Sequence, residues 1–341
     1  MEVLPQNPIH PSQVSTGLRP QNPLILTDGS TCDLAALNAD ELRELHWHEE
    51  PILARRIVGA PKGSRERAVA IRLAYDTIAR IHAARNRDQG APLVMGLDRR
   101  YVGLVLSLLR RQQRRSISPS FFEVGFGSGV LLKTVADHGF DVAGVEVSAG
   151  LHREACELLG PDYREWLLVG DVRKIAAGQQ GRHSLIYWND VFEHIPPDEI
   201  LEYLQAIRSM LAPGGQFVTI TPNWHFRPSD VTREFSPPRT EAVGLHLKEY
   251  TLREVTALLC QAGFDNIHMP LFQTKKRMVL CGSGLTLAKH VLETQLERLP
   301  ARLAEILCRG FCMNCTIAEN PVVATERCTV AEPPVVTPAC S

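Results

Sequence analysis

No run of apolar residues in this 341-residue chain approaches the roughly 18 to 20 that a membrane span requires. Neither charge is in excess: 37 Lys and Arg face 38 Asp and Glu, a formal net charge of −1. Such a chain has no bulk attraction for nucleic acid or an anionic membrane surface, and neither is expected as a partner. The opening MEVLPQNPIHPSQVSTGLRP lacks the cationic start and apolar centre of a secretory leader, so a cytoplasmic location is expected. With 44% hydrophobic and 22% charged residues, a wholly disordered chain, a collagen and a coiled-coil rod are all excluded. What remains is a globular protein whose length suggests about two domains, or one with extensions.

The nine cysteines are an odd number in a chain without a leader pattern, which argues against a disulfide framework. Cys32, Cys156, Cys260 and Cys281 sit in helix- or strand-like sequence and read as small apolar residues. Cys308, Cys312, Cys315, Cys328 and Cys340 crowd toward the end, where CTIAENPVVATER, from Cys315, aligns with CTVAEPPVVTPAC, from Cys328. Soft thiolates at such spacing can bind zinc or a cluster, but reduced thiols are the expectation and no metal site is assigned. His46-Trp47-His48 does not alter this, because histidines two apart on a helix point away from each other.

The chain divides by texture. Residues 1–30, rich in Pro, Gln, Asn and Ser, read as a flexible arm. Residues 31–116 are helical in pattern, with Ile71, Tyr75, Ile78 and His82 on one face and Tyr101, Leu104, Val105, Leu108 and Leu109 on another. Residues 117–284 alternate short apolar runs with amphipathic stretches, the pattern of an α/β domain with a mostly parallel sheet. SFFEVG, DVAGVEVS, REWLLVGD, SLIYWND, QFVTITPN, FDNIHMPLF and TKKRMVLCG are its seven expected strands. Thr251 and Glu254 have the spacing of a capping box that opens a helix after the fifth strand. Residues 285–310 read as a C-terminal helix, and 311–341 as an irregular Cys-, Pro- and Val-rich repeat tail.

Chemistry concentrates at the strand ends. Glu123-Val-Gly125-Phe-Gly127-Ser-Gly129 joins a strand to a helix, where glycine lets the chain turn sharply and a ligand lie against bare backbone. A dinucleotide fingerprint would place Gly or Ala at position 130, and Val130 is there. Glu146 ends the next strand, 17 residues after Gly129, placed to accept hydrogen bonds from a ribose. Asp171 and Val172 end the third strand and can offer a carboxylate and an N–H to an adenine. Asn189-Asp190-Val191-Phe192-Glu193-His194 ends the fourth. Ligands of open α/β sheets bind at such carboxyl ends.

This set resembles the class I S-adenosylmethionine-dependent methyltransferases over residues 118–282. The resemblance implies a Rossmann-like fold and S-adenosyl-L-methionine as cofactor. It places Glu123, Gly125, Gly127 and Gly129 in the first cofactor motif, Glu146 with Val147 on the ribose, and Asp171 with Val172 on the adenine. Asn189 joins them at the end of strand four. The runs Asp190 to Ile195 and Leu211 to Gly215 are also typical, while Cys308-x-x-x-Cys312-x-x-Cys315 matches radical enzymes of this cofactor in spacing alone. Methyl transfer to oxygen or nitrogen requires loss of a proton, so His194, His225 and His246 are the candidate bases. Arg227 and Arg239 are candidates to clamp an acidic substrate, and Tyr250 to position a hydroxyl. The expected function is methylation of a small molecule at oxygen. The alternative is a cofactor-binding scaffold or interaction protein with a metal-binding or self-modified tail.

Overall fold

The computed structural model describes residues 23–86, 98–115, 117–272, 278–281 and 283–322. Most of the expected arm, and the second copy of the repeat with Cys328 and Cys340, lie outside them. The chain enters through a small antiparallel ribbon, β1 (Leu24–Ile25) with β2 (Thr31–Cys32). Helix α1 (Ala39–Gly59) opens on Asn38, whose side chain takes the N–H groups of Asp40 and Glu41 while Glu41 returns the bond. Helix α2 (Arg65–Arg85) is capped by Ser64, and the two helices pack through Leu53, Ile57, Ala74, Ile78 and Ile81. Helix α3 (Arg99–Arg114) lays Leu104, Val105, Leu108 and Leu109 into a core beneath the sheet.

The α/β unit follows as β3 (Ser120–Val124), α4 (Val130–Asp137), β4 (Asp141–Glu146), α5 (Ala149–Leu159), β5 (Leu167–Val169), α6 (Val172–Ala176) and β6 (His183–Asn189). It continues with α7 (Ile200–Met210), β7 (Leu211–Pro222), α8 (Thr232–Phe235), α9 (Leu252–Gln261), β8 (Asp265–Phe272) and β9 (Met278–Cys281). Helices α10 (Ser283–Leu296) and α11 (Ala301–Leu307) and strand β10 (Met313–Glu319) complete the order. Strands β3 to β7 pair in parallel, and the sheet runs β5-β4-β3-β6-β7-β10-β8-β9. Alternation sends Phe121, Leu185 and Val218 to the core on the α3–α4–α5 side. Phe122, Ile186 and Phe217 go to the core against α7 and α9. The expected Rossmann-like architecture is present.

Its far side differs from expectation. The last two expected strands form β8 and β9, but the place beside β7 is taken by β10, antiparallel to both β7 and β8. The register runs from Met313↔Pro222 to Glu319↔Gln216. The sheet thus has eight strands instead of seven, and residues 313–319 belong to it instead of to an irregular tail. The physical reason is burial on both faces. Ile317 and Ala318 are inaccessible, as are Asn314 and Thr316, so the strand shows no polar–apolar alternation. Cys315 is buried here and its thiol is pushed up to about 12, a poor start for a thiolate ligand.

Candidate functional site

The glycine loop and the ends of β4, β5 and β6 lie along one edge of the sheet. Gly125 (φ 71°) donates to the Val145 carbonyl at 2.8 Å, and a Cβ on it would come within 2.7 Å of Val191. Gly129 caps α4, where a Cβ would stand 2.8 Å from that of Ala155, so this glycine permits the close approach of α4 to α5. Gly127 is different: open space lies where its Cβ would be, and its N–H donates to Glu146 Oε2 at 2.9 Å. The other oxygen of Glu146 accepts from the N–H groups of Val147 (2.8 Å) and Ser148 (2.9 Å). Three backbone donors fix this buried carboxylate, and burial raises its pKa. Oε2 has accepted one hydrogen bond, and a carboxylate oxygen can take two, so capacity for a ribose hydroxyl remains.

Glu123 lies buried below the loop. Burial, and then the charge of Glu146, push its pKa well above the carboxylate range, and its Oε2 has no hydrogen-bond partner among the described residues. Asp171 caps α6 and is gripped by Arg173, whose Nη2 approaches Oδ2 at 2.6 Å, with Val172 buried beside it. Asn189 donates from Nδ2 to Asp190 at 2.7 Å, and its buried Oδ1 has no partner among the described residues. An open glycine wall, spare acceptor capacity on Glu146 and a bare amide oxygen fit a polar cofactor carrying hydroxyl and ammonium groups.

A second cluster stands at the end of β6. His194 closes a 3₁₀ turn, and its Nδ1 lies 2.8 Å from the Leu245 carbonyl. A carbonyl only accepts, so Nδ1 carries the proton and Nε2 keeps the lone pair. His246 meets it edge to face, with ring centroids 4.8 Å apart. Nδ1 of His246 donates to Glu249 at 2.9 Å. Burial, and then the positive field of His246, pull His194 down to about 3. Burial acts the same way on His246, but Glu249, Glu193 and Asp230 overcome it and lift it to about 9. Glu193, fully buried, is raised by desolvation and by Asp190.

The structure brings His194 and His246 together and gives His225 other company. His225 Nδ1 lies 3.2 Å from Glu297, just beyond α10. The arginines are corrected outright. Arg227 reaches Glu297 and Glu241 and covers the Trp224 ring, and Arg239 donates to the carbonyls of Leu296, Glu297 and Leu299. They staple the loop after β7 to α10 and are not available to an acidic substrate. Tyr250 is buried against Phe192.

Sequence reasoning missed what α1 and α2 contribute. Asp76 accepts from Ser148 Oγ at 2.7 Å, next to Glu146, and Tyr75 stands edge-on to His194 at 5.6 Å. Glu50, buried in α1, accepts the N–H of Leu245 at 2.7 Å and so fixes the segment carrying His246.

Residues 87–269, over half the chain, match a family described as "Methyltransferase domain". The chain belongs to this family, and S-adenosylmethionine is the cofactor that its resemblance implies. The ubiquinone biosynthesis O-methyltransferase of Acinetobacter baylyi is 28% identical over 109 residues, which are 30% of this chain and 43% of that protein. The chain thus matches less than half the length of this curated relative. Among solved structures, phosphoethanolamine N-methyltransferase 2 of Haemonchus contortus, with phosphomonomethylethanolamine and S-adenosylhomocysteine, is 15% identical. That alignment covers 64% of this chain and 52% of that one, with a TM-score of 0.41. A SAM-dependent methyltransferase from Archaeoglobus fulgidus is 14% identical, covering 63% and 94%, with a TM-score of 0.39.

Proposed function

We propose that this protein is an S-adenosylmethionine-dependent methyltransferase acting on a hydroxyl of a small organic acceptor. The observation that supports an oxygen acceptor most is the meeting of His194 and His246 on one side of the glycine loop's strand edge, each with Nδ1 engaged from behind. The Acinetobacter relative is an O-methyltransferase, which supports the same acceptor atom. Gly127 and Asn189 wall the cofactor, and Glu146 takes its ribose. The cofactor supplies a methyl group on a positively charged sulfur, reactive toward in-line displacement. Neutral His194 accepts the hydrogen of the acceptor hydroxyl at Nε2 and turns a lone pair toward the methyl. His246 sets positive charge beside the oxygen as its negative charge develops. Tyr75 and Leu245 close this side and exclude water.

A panel of small phenols, alcohols, amines and thiols, assayed with methyl-labelled cofactor, tests the acceptor. O-methyl products from phenols or alcohols, lost in His194→Gln with cofactor binding retained, are expected. Transfer only to amines or thiols would overturn the oxygen assignment.

A further inference from the structure

Helix α1 buries two polar side chains, His46 and Glu50, one turn apart. Glu50 reaches across 195 residues of sequence: its Oε1 accepts the N–H of Leu245 at 2.7 Å. The carbonyl of the same Leu245 accepts from His194 Nδ1 at 2.8 Å. On its far side, Glu50 Oε2 meets His46 Nε2. Arg85 Nη1 stands 2.8 Å from His46 Nδ1. A guanidinium only donates, so Nδ1 of His46 accepts and Nε2 carries the proton toward Glu50. Arg85 is itself held by Glu234 of α8, at 2.9 Å and 3.0 Å. A chain of paired donors and acceptors thus runs from α8 through α2 and α1 to His194.

We propose that Glu50 is a positioning residue for methyl transfer, holding the Leu245 backbone so that its carbonyl keeps His194 protonated at Nδ1 and bare at Nε2. The inference rests on the methyltransferase reading above and names what sets the state of its base. A neutral imidazole carries one proton, and the hydrogen bond made by one ring nitrogen decides the state of the other. The Leu245 carbonyl decides it only while it stays in place, and two carboxylates hold that stretch. Asp230 accepts the N–H of Gly244 at 2.7 Å, and Glu50 that of Leu245. Position 244 has room for glycine alone, because a Cβ there would run into Glu50 Oε1 and Asp230 Oδ2. Burial opposes the charge of Glu50, but His46 and the Leu245 N–H outweigh it and hold the carboxyl below its ordinary range. An ionised carboxylate accepts on both oxygens, as a place between two donors requires. An amide accepts on one, so in Glu50→Gln either Leu245 or His46 faces an N–H.

Nitrogen-15 shifts of the His194 ring, assigned by their loss in His194→Gln, read the tautomer. Burial, and then His246, hold this ring down to about 3, so it is neutral at pH 7. The full-length protein should show Nδ1 protonated. Glu50→Gln should give a mixture of tautomers and lower kcat about 10- to 100-fold, a part of what a positioned base contributes, with KM for S-adenosylmethionine unchanged. Gly244→Ala disturbs the same contact from the loop and should shift the ring in the same direction. Adding His46→Gln to Glu50→Gln lets one amide turn its oxygen to the N–H of the other, and should restore both tautomer and turnover. Cooperative thermal melting reports folding. Unchanged ring shifts in a variant that melts cooperatively, or turnover lost with the shifts unchanged, would overturn the positioning role. So would failure of both single variants to fold, without recovery on adding His46→Gln, which would make Glu50 a packing residue. A tautomer change in a chain that never binds S-adenosylmethionine would uphold the positioning of His194 and sink the methyltransferase reading.

Discussion

Three backbone N–H groups hold the Glu146 carboxylate, and we propose that its remaining acceptor capacity serves the ribose of the cofactor. Glu146→Ala should therefore weaken S-adenosylmethionine binding about 10- to 100-fold, the worth of hydrogen bonds to a charged group, as read by calorimetry. Unchanged affinity would remove the ribose assignment. Gly129 tests packing instead. Gly129→Ala meets Ala155 at 2.8 Å with φ at 79°, and should cost about 1–3 kcal/mol in chemical denaturation. Both residues were legible in the sequence because strand-end geometry is local: a glycine loop and the acid closing the next strand are fixed by short spacings. The pairing of His194 with His246 was not, since only the folded loop after β7 brings them together. The grouping of His225 with them failed for the same reason, because Glu297 lies far along the chain.

At the scale of elements, β10 is the segment whose removal should matter most. Without it, β7 and β8 lose their common neighbour and each presents a bare edge. A chain ending at residue 311 should be insoluble or unfolded, whereas one ending at 322 should keep its cooperative melting and its cofactor binding. Equal behaviour of the two truncations, followed by thermal melting, would contradict the strand's place in the sheet. The parallel strands β3 to β7 were readable from their apolar runs and the helices between them. β10 was not: it is a short strand buried on both faces, in a region whose prolines and repeat point to irregular chain. Its partners are also set by topology, after α10 and α11 have intervened.

Across the whole molecule, the N-terminal helices are clasped to the methyltransferase unit by buried charge. Arg67 reaches Asp198 and Glu199 at 2.8 Å, and Glu199 is buried. Arg67→Ala should cost about 3 kcal/mol, because it strips a partner from a buried carboxylate, although Arg173 still holds Glu199. Acid should loosen the same assembly. Burial holds His82 and His183 down to about 4 from an ordinary 6.5, so between these values the unfolded chain takes up protons that the folded chain refuses. Stability should fall as pH drops through that window, by up to about 3 kcal/mol for buried His183, and His183→Leu should flatten the fall in denaturation midpoints. The central claim is the cofactor, and calorimetric titration of the full chain with S-adenosylmethionine, S-adenosylhomocysteine and NAD in parallel tests it most directly. Saturable binding of the first two at one per chain, with none of NAD, is predicted; binding of NAD alone, or of none of the three, would contradict it.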